Sequence, residues 1–338
     1  FRRVCGSGVA PGRDSDGVKI VNGFLDLDPF PQPVVATIGN FDGMHLGHQR
    51  IFARVRERAA SRGLPAWAVT FDPHPLTILR PDRAPRMILT RGQKIDILRA
   101  EGFDGVLFIP FDLAISEVEP ERFVEEFMIG RLRVAEIYIG VDFRFGRGRR
   151  GDLELLRRMA AGAERAGGPA FRVESAEIVR RGEERISASL IREALAAGDV
   201  AAAAEMMGRP YEAIGDVVRG AGRGRSQGAP TANIEVANEV IPASGVYITE
   251  TVLASSRHPG LTNIGTRPTF EGAGFAVETW LPDFKGDLYG RRLRVSFHAR
   301  IRDERKFPSA GALREQIGRD LEVMRAFFAA RGQEPSRT

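Results

Sequence analysis

The sequence predicts a parallel α/β domain followed by an all-β domain with a helix at its carboxyl end. In the first half, short apolar segments alternate with segments of helical periodicity, an order typical of a parallel sheet with right-handed crossovers. After Gly208 the pattern changes to short β-branched runs separated by Gly, Pro and Asn. A chain of 338 residues is long enough for two domains of ordinary size. We therefore expect a Rossmann-like domain and then a second domain built as a barrel or sheet.

The first predicted strand and helix enclose a glycine-rich turn. The strand is the apolar run 34–38, and the helix carries apolar side chains at helical spacing over 51–59. Gly39, Gly43 and Gly47 let the backbone approach a ligand closely, and free N–H groups at the helix start favour an anion. The turn therefore predicts a phosphate site, and the alternative is an ordinary connection between a strand and a helix.

Two of the five histidines lie in this turn. His45 and His48 are three residues apart, so one helical turn places both imidazoles on the same side. This spacing favours a shared role at the predicted phosphate site. The alternative is that both are surface residues.

The remaining elements of the first half bring further loops to the same place. Strands are predicted at 65–71, 106–109 and 136–140, and helices at 90–102, around 121–128 and after the N-cap Asp152. Loops that begin at Gly39, Asp72 and Val141 each follow a strand. Ligands of parallel sheets bind beyond the carboxyl ends of the strands. We expect these three loops to meet at one edge of the sheet and to form one composite pocket.

The second half begins with a capped helix, for which Ser187 or Ser189 is the N-cap and Arg192 lies in the first turn. A capped helix without a site is the alternative. An alanine-rich helical connector, interrupted at Gly198, follows. Strands are then predicted at 214–218, 246–253, 276–281 and 293–297, and an amphipathic helix at 309–330.

A second glycine-dense stretch covers residues 220–233. Its backbone N–H groups and arginines could wrap phosphates, with Gly222, Arg225 and Gly228 as contacts, although a flexible hairpin loop is the alternative.

Polar side chains follow that stretch. Thr231 and Asn233 provide hard oxygen ligands of the kind that suit Mg²⁺. Glu278 lies in a predicted strand and could serve as a base, and the alternative is a solvated strand residue.

Composition narrows the class of partner. The formal charge is +5, and the arginines are mostly scattered among acids, which favours phosphorylated small molecules over nucleic acid. No run of eighteen apolar residues predicts a membrane span, and the single Cys5 favours a reducing cytoplasm. Residues 1–17 lack apolar periodicity and are interpreted as a disordered leader.

The motifs of the first half resemble a known superfamily. Residues 39–48 resemble the Gly-x-Phe-Asp-Gly-x-His-x-Gly-His signature of nucleotidyltransferases. Residues 186–192 resemble the Ile-Ser-Ser-Thr-x-Ile-Arg clamp of its flavin-adenylylating branch, with Ala188 in place of a serine and Ser189 in place of the threonine.

The motifs of the second half resemble riboflavin kinase, at 224–225, 230–233, 245–247, 263–265, 267–270, 277–279, 283–284 and 288–290. Departures are Gln227 and Ala229, where the family usually has Leu and an aromatic residue, and Trp280, where it often has His. From about residue 18 to about residue 330, the chain resembles the bifunctional bacterial riboflavin kinase and FAD synthetase family.

This resemblance implies a barrel for the second half. It also implies an FMN adenylyltransferase domain at 18–186, a helical connector at 187–208 and a riboflavin kinase domain at 209–338. The expected reactions are phosphorylation of riboflavin to FMN and adenylylation of FMN to FAD, with ATP as co-substrate and Mg²⁺ as cofactor. The expected partners are nucleotides and flavins, without nucleic acid or membrane, and homo-oligomerisation is left open.

The resemblance also implies roles for particular residues. Glu278 would accept the proton of the riboflavin hydroxyl, and the transferring phosphate would contact His45, His48, Ser189 and Arg192. ATP contacts are expected at Gly39, Phe41, Asp42, Gly47, Gly222, Arg225 and Gly228. Flavin contacts are expected at Phe71, His74, Asp142, Phe143 and Phe145.

Three alternatives to the bifunctional enzyme stay open at this point. One is an enzyme that only adenylylates FMN because the replacements at Gln227 and Ala229 have impaired the kinase. The others are a different adenylyltransferase of the same superfamily and a basic RNA-binding protein.

Overall fold

A computed structural model describes residues 17–168, 170–219, 231–253, 256–269 and 272–332 of the chain. It divides into two compact units. The first contains the chain up to Arg86 and the segment Arg91–Ile186, and the second contains Met87–Thr90 and the chain from Ser187 onward. Among the described residues, no helix is both long enough and apolar enough to cross a membrane.

The first unit is built on a parallel sheet with the strand order β1-β4-β3-β2-β5-β6. Its strands are β1 Lys19–Asn22, β2 Val34–Ile38, β3 Ala66–Phe71, β4 Gly105–Ile109, β5 Val134–Gly140 and β6 Arg172–Ala176. A two-stranded hairpin follows, with β7 Arg180–Arg181 and β8 Glu184–Arg185. The predicted parallel α/β fold is therefore confirmed, and β1 and β6 are additional edge strands.

Helices connect the strands of this sheet. They are α1 Leu46–Arg62, α2 Pro75–Leu79, α3 Arg91–Ala100, α4 Leu113–Ser116, α5 Pro120–Arg122, a π-helical segment Phe123–Arg131 and α6 Leu153–Arg165. The N-cap Asp152 accepts a hydrogen bond from the Leu155 amide at 2.9 Å, as its sequence position predicts.

Both faces of the sheet are buried. One face packs on an aromatic cluster that includes Phe24, Trp67 and Phe127. On the other, the buried Glu136 of β5 accepts hydrogen bonds from Arg58 at 2.8 and 3.0 Å, from Arg62 at 3.0 Å and from the Tyr138 hydroxyl at 3.0 Å. Because both arginines belong to α1, this carboxylate fixes the helix to the sheet.

The second unit is a closed antiparallel barrel with the strand order β10-β13-β12-β11-β14-β9. Its strands are β9 Tyr211–Val218, β10 Thr231–Val236, β11 Gly245–Leu253, β12 Ser256–Thr269, β13 Gly272–Trp280 and β14 Arg292–Arg302. The helices α7 Ala188–Ala196 and α8 Val200–Met207 precede it, and α9 Ala310–Ala330 follows it. The expected all-β domain with a carboxyl-terminal helix is confirmed.

The alternation of side chains along the strands separates the barrel interior from its outer face. Ile248 and Leu261 pack with Met324 and Phe328 of α9, so they point outward, and Trp280 packs on the same cluster. The residues beside them, Thr249, Thr262 and Thr279, therefore point inward. Their hydroxyls form a chain inside the barrel, with oxygens 2.8 Å apart between Thr249 and Thr262 and 2.9 Å apart between Thr262 and Thr279.

A short segment from the first half of the sequence belongs to the second unit. The Met87 amide donates to Glu239 at 2.7 Å, and the Asn238 side chain donates to the carbonyl of Ile88 at 3.0 Å. Ile88 and Leu89 are buried. The chain therefore visits the second unit between Arg86 and Arg91 and then returns to the first.

Candidate active sites

The turn between β2 and α1 has an unusual backbone. Phe41, Gly43 and Met44 have φ angles of 45°, 72° and 42°, in the left-handed region that side chains rarely adopt. A Cβ atom at Gly39 would lie 2.9 Å from the ring of Phe41, so glycine is required there. Phe41 and Met44 are buried, and this burial holds the strained turn in place.

The two histidines lie together at the end of that turn. His45 is the N-cap residue of α1, and His48 lies in its first turn. Their rings stack, with centroids 3.8 Å apart and an interplanar angle of 21°. A Cβ atom at Gly47 would lie 3.1 Å from the ring of His45. The prediction that both imidazoles share one side of the helix start is confirmed.

The ring of Phe41 packs against His48 of this pair and against Phe52 of α1. Its ring centroid lies 5.4 Å from that of His48 and 5.2 Å from that of Phe52, in edge-on arrangements. Asp42 is also buried, and its carboxylate accepts a hydrogen bond from the Gly43 amide at 3.1 Å. Phe41 and Asp42, two of the predicted ATP contacts, are therefore buried in the turn that carries the histidines.

Asn40 joins the first predicted loop to the second. Its carbonyl accepts hydrogen bonds from the Thr70 hydroxyl at 3.2 Å and from the Lys94 ammonium at 2.9 Å. Its side-chain amide lies 3.0 Å from Nε2 of His74. The loops that follow β2 and β3 therefore meet, as the sequence predicts.

His74 also begins the next helix. Its Nδ1 accepts a hydrogen bond from the Leu76 amide at 3.1 Å, so it caps α2. The atom of Asn40 that faces the other ring nitrogen, Nε2, is the amide nitrogen Nδ2. Phe71, which precedes this loop, is half-buried and lies edge-on to Phe111.

The third predicted loop follows β5, which is the parallel neighbour of β2, and it leaves the same edge of the sheet. Asp142 is exposed and accepts a hydrogen bond from Arg185 of β8 at 2.9 Å. This hydrogen bond holds the pKa of Asp142 below its usual range. Phe143 is half-buried and stacks on Phe145, which is buried in the core.

Three cations near these loops were not predicted. Arg185 directly precedes the motif at 186–192. This position beside Ile186 is the sequence feature that could have identified it. Lys94 and Arg91 lie in the first turns of α3, where the sequence shows only an N-terminal capping pattern. The Arg91 guanidinium lies 3.7 Å from the ring centroid of Phe108 and 2.5 Å from the Asp72 carboxylate.

The predicted clamp at 186–192 belongs to the second unit from Ser187 onward. Ser187 caps α7 and accepts a hydrogen bond from the Leu190 amide at 3.3 Å. Ser189 is exposed and Arg192 is half-buried, both in the first turns of this helix.

The barrel brings three predicted residues together by strand register. Asn233 of β10 lies opposite Glu278 of β13, and Thr231 lies opposite Trp280. Trp280 faces outward, so these four side chains share the outer face of the barrel. Glu278 also lies opposite Asn263 of β12. The predicted phosphate contacts Gly222, Arg225 and Gly228 lie outside the described residues, as do Gln227 and Ala229.

The oxygen-bearing side chains on this face fit a hard cation that takes its remaining ligands from water and phosphate. Thr231 and Asn233 supply a hydroxyl and an amide, beside the carboxylate of Glu278. Within the described residues, no group of three His, Cys, Asp or Glu side chains is arranged to hold a metal.

Comparison with known proteins gives matches for both units. Residues 28–190 match the family described as FAD synthetase, and residues 207–328 match the family described as riboflavin kinase. Proteins named bifunctional riboflavin kinase/FMN adenylyltransferase from Pseudomonas fluorescens and Escherichia coli are 39% and 38% identical to this chain. Each alignment covers 92% of this chain and 98% of the relative.

A relative from Haemophilus influenzae with the same name is 36% identical over 92% of this chain and 99% of its own length. A crystal structure described as a macrolide-efflux protein from Streptococcus pneumoniae has a TM-score of 0.83 and 28% identity. It covers 90% of this chain and 98% of that one, and the likeness is one of fold.

Proposed function

The chain belongs to the family of bifunctional riboflavin kinases/FMN adenylyltransferases, and from this premise we propose which of its residues serve each reaction. Riboflavin and ATP give FMN and ADP in one reaction, and FMN and ATP give FAD and pyrophosphate in the other. We assign FMN adenylylation to the first unit, riboflavin phosphorylation to the barrel, and a connecting role to residues 187–208.

For adenylylation, we assign the phosphate site to the turn between β2 and α1. The FMN phosphate is already ionised, so its attack on the α-phosphate of ATP needs no general base. Donors at the helix start can stabilise the charge that develops on the transferring phosphate. The stacked His45 and His48 support this assignment, because both rings lie beside the first amides of α1. The contacts that the sequence predicts at Ser189 and Arg192 stay predictions, because both residues belong to α7 of the second unit.

For the flavin of this reaction, the accessible residues of the loops after β3 and β5 are the better contacts. Phe71, His74, Asp142 and Phe143 are exposed or half-buried. Phe145 is buried, so we propose that it supports Phe143 from the core. The buried Phe41 and Asp42 likewise shape the ATP site instead of lining it.

For phosphorylation, the riboflavin hydroxyl is neutral and must lose a proton to attack the γ-phosphate. Glu278 is the proposed base, and Thr231 and Asn233 would hold Mg²⁺, which neutralises charge on the transferring phosphate when it is bound. The observation that carries this assignment is the register that sets Asn233 opposite Glu278 on the outer face of the barrel. Gly222, Arg225 and Gly228 are proposed ATP contacts.

The proposal is tested by following flavins chromatographically in reactions of the full chain. Riboflavin, ATP and Mg²⁺ should give FMN and then FAD, whereas FMN, ATP and Mg²⁺ should give FAD directly. Removal of Mg²⁺ by a chelator should stop FMN formation. Formation of FAD from FMN, but no FMN from riboflavin at saturating substrates, would instead establish an enzyme that only adenylylates FMN. A cytoplasmic location, the lack of nucleic-acid partners and the oligomeric state stay predictions.

A further inference from the structure

We propose that Lys94 is a positioning residue for FMN adenylylation, which holds the turn of the phosphate site through the carbonyl of Asn40. This inference rests on the assignment of adenylylation to that turn. Lys94 belongs to α3, so it comes from neither of the loops that it would position.

Lys94 is part of the hydrogen-bond network that joins the two loops. Its ammonium donates to the Asn40 carbonyl at 2.9 Å, and the Thr70 hydroxyl donates to the same oxygen at 3.2 Å. The side chain of Asn40 reaches His74 in the next loop. Asn40 also precedes the strained residue Phe41, so a shift of its peptide changes the path of the turn and the position of His74 together.

The Lys94 ammonium is buried beside the turn. Lys94 is only 5% exposed and Asp42 only 3%, and an ammonium is retained in a core only when charges or hydrogen bonds compensate for lost water. Burial lowers the pKa of Lys94, whereas the negative charges of Asp42 and Asp72 oppose that change. Those carboxylates belong to the same two loops. Lys94 is thus held by attraction to both loops and by a hydrogen bond to one.

Lysine is an uncommon cation in this chain. The chain has four lysines and otherwise relies on arginine for positive charge. An ammonium is compact and can donate to a single carbonyl, whereas a guanidinium presents five donors in a fixed plane. Lys94 donates to a single carbonyl of the turn, so an ammonium fits this position better than a guanidinium.

The test compares steady-state FMN adenylylation by Lys94→Met, Thr70→Val and the double variant. Misplacement of a reacting group by about 1 Å can cost on the order of a hundredfold in rate. We expect Lys94→Met to lower kcat about 10- to 100-fold, with KM for ATP and for FMN changed less than about threefold. Thr70→Val should lower kcat by a smaller factor, since Lys94 still holds the carbonyl. The double variant should lose more than the product of the two single losses, because Asn40 then has neither donor.

Two controls accompany these variants. Lys19→Met removes a lysine of the same unit at the opposite edge of the sheet, where β1 begins, and it should leave adenylylation unchanged. Formation of FMN from riboflavin should be unchanged in every variant.

A kcat within twofold of the wild type in Lys94→Met would overturn the inference, and so would a loss confined to KM. If Lys94→Met does not fold, Lys94→Arg is measured instead, and a kcat within twofold of the wild type in that variant contradicts the inference, because a planar guanidinium does not fit a single carbonyl in the place of the ammonium. His48→Ala is measured in parallel to separate the two proposals. Full activity in His48→Ala would refute the proposed site itself, whereas loss in His48→Ala with full activity in Lys94→Met refutes only the role of Lys94.

Discussion

The two units bind ATP phosphates, by our assignment, with different parts of their architecture. In the parallel sheet, the site is made by loops that follow the strands, and its histidines stand at the end of a backbone turn with three left-handed residues. In the barrel, the proposed metal ligands and base are side chains of regular strands, brought together by antiparallel register. A loop site depends on supporting contacts such as those to Asn40. A site on paired strands, such as the one in the barrel, depends on the identity of a few side chains on one face of the sheet.

Because the barrel site uses strand side chains, single isosteric changes there should act locally and strongly. Glu278→Gln should lower FMN formation from riboflavin by roughly 10²- to 10⁴-fold, because the hydroxyl nucleophile loses its base. Formation of FAD from supplied FMN should be unchanged. Rates from each starting flavin, measured separately, check this expectation. Glu322→Gln, an exposed position of α9, is the matched control, and a loss as large in that variant would show that charge alone is responsible.

The corresponding substitution in the adenylylation site of the first unit is His48→Ala. His48→Ala should lower FAD formation by about a hundredfold or more, because a preorganised donor to the transferring phosphate is removed. FMN should still accumulate from riboflavin. Chromatography that finds riboflavin unphosphorylated as well would break the assignment of one reaction to each unit.

The loop site also rests on a sheet to which α1 is fixed by a buried carboxylate. Hydrogen bonds from Arg58 lower the pKa of Glu136 from 4.5 to about 2. Its contribution to stability is therefore present above pH 4.5 and is lost as the pH falls toward 2. Between pH 6 and pH 3, the free energy of unfolding of the first unit should fall by about 2 kcal/mol through this group alone.

The two tryptophans make this measurement possible, since Trp67 belongs to the first unit and Trp280 to the second. In a Trp280→Phe background, the fluorescence of Trp67 follows urea unfolding of the first unit. Glu136→Gln should flatten its dependence on pH between 6 and 3. Glu57→Gln, which breaks an exposed pair with Arg54, should leave that dependence intact. Equal pH dependence in wild type and Glu136→Gln would show that other carboxylates dominate.

The smallest expected effect concerns the metal side of the barrel site. Thr231→Ala should lower FMN formation about tenfold, equivalent to roughly one lost hydrogen bond or ligand, and higher Mg²⁺ should restore part of the rate. Thr231→Ser keeps the hydroxyl and is the control. A loss that Mg²⁺ does not change would favour a role of Thr231 in shaping the strand.

The sequence predicted the parts of the fold whose periodicity is strong. The central strands of the first unit, α1 and α9 lie where the apolar spacing places them, and α6 begins after the predicted N-cap Asp152. β1 and β6 were missed because edge strands are short and only partly buried, so that neither strand is a continuous apolar run. β12 was missed because it contains Pro259, Gly260 and Gly265, which usually indicate turns.

The structure supplies a packing reason for the first of those glycines. A Cβ atom at Gly260 would lie 2.7 Å from the carbonyl oxygen of Trp280, and one at Gly265 would lie 2.5 Å from the Glu304 carboxylate. Gly260 needs close approach to a backbone oxygen inside a regular strand, whereas the exposed side chain of Glu304 can move away from position 265. Sequence alone cannot separate this requirement from a turn.

The candidate sites divide in the same way. Local motifs such as 39–48 are visible in sequence because their residues are neighbours in the chain. Lys94 and Arg185 reach their loops from other elements, and only the fold shows that they do. The pairing of Asn233 with Glu278 likewise depends on register between strands 45 positions apart, which no local pattern encodes.

Because Met87–Thr90 belongs to the second unit, a single cut in the chain cannot separate the two units. A fragment that begins at Ser187 contains all the barrel strands but lacks the peptide whose carbonyl accepts a hydrogen bond from Asn238. A fragment that ends at Ile186 keeps Ile88 and Leu89 without the unit in which they are buried. We therefore expect two independently expressed halves each to be destabilised, although the two family matches follow one another along the chain, at 28–190 and 207–328. A transplant of the kinase barrel into another protein should carry this four-residue peptide as a grafted insert.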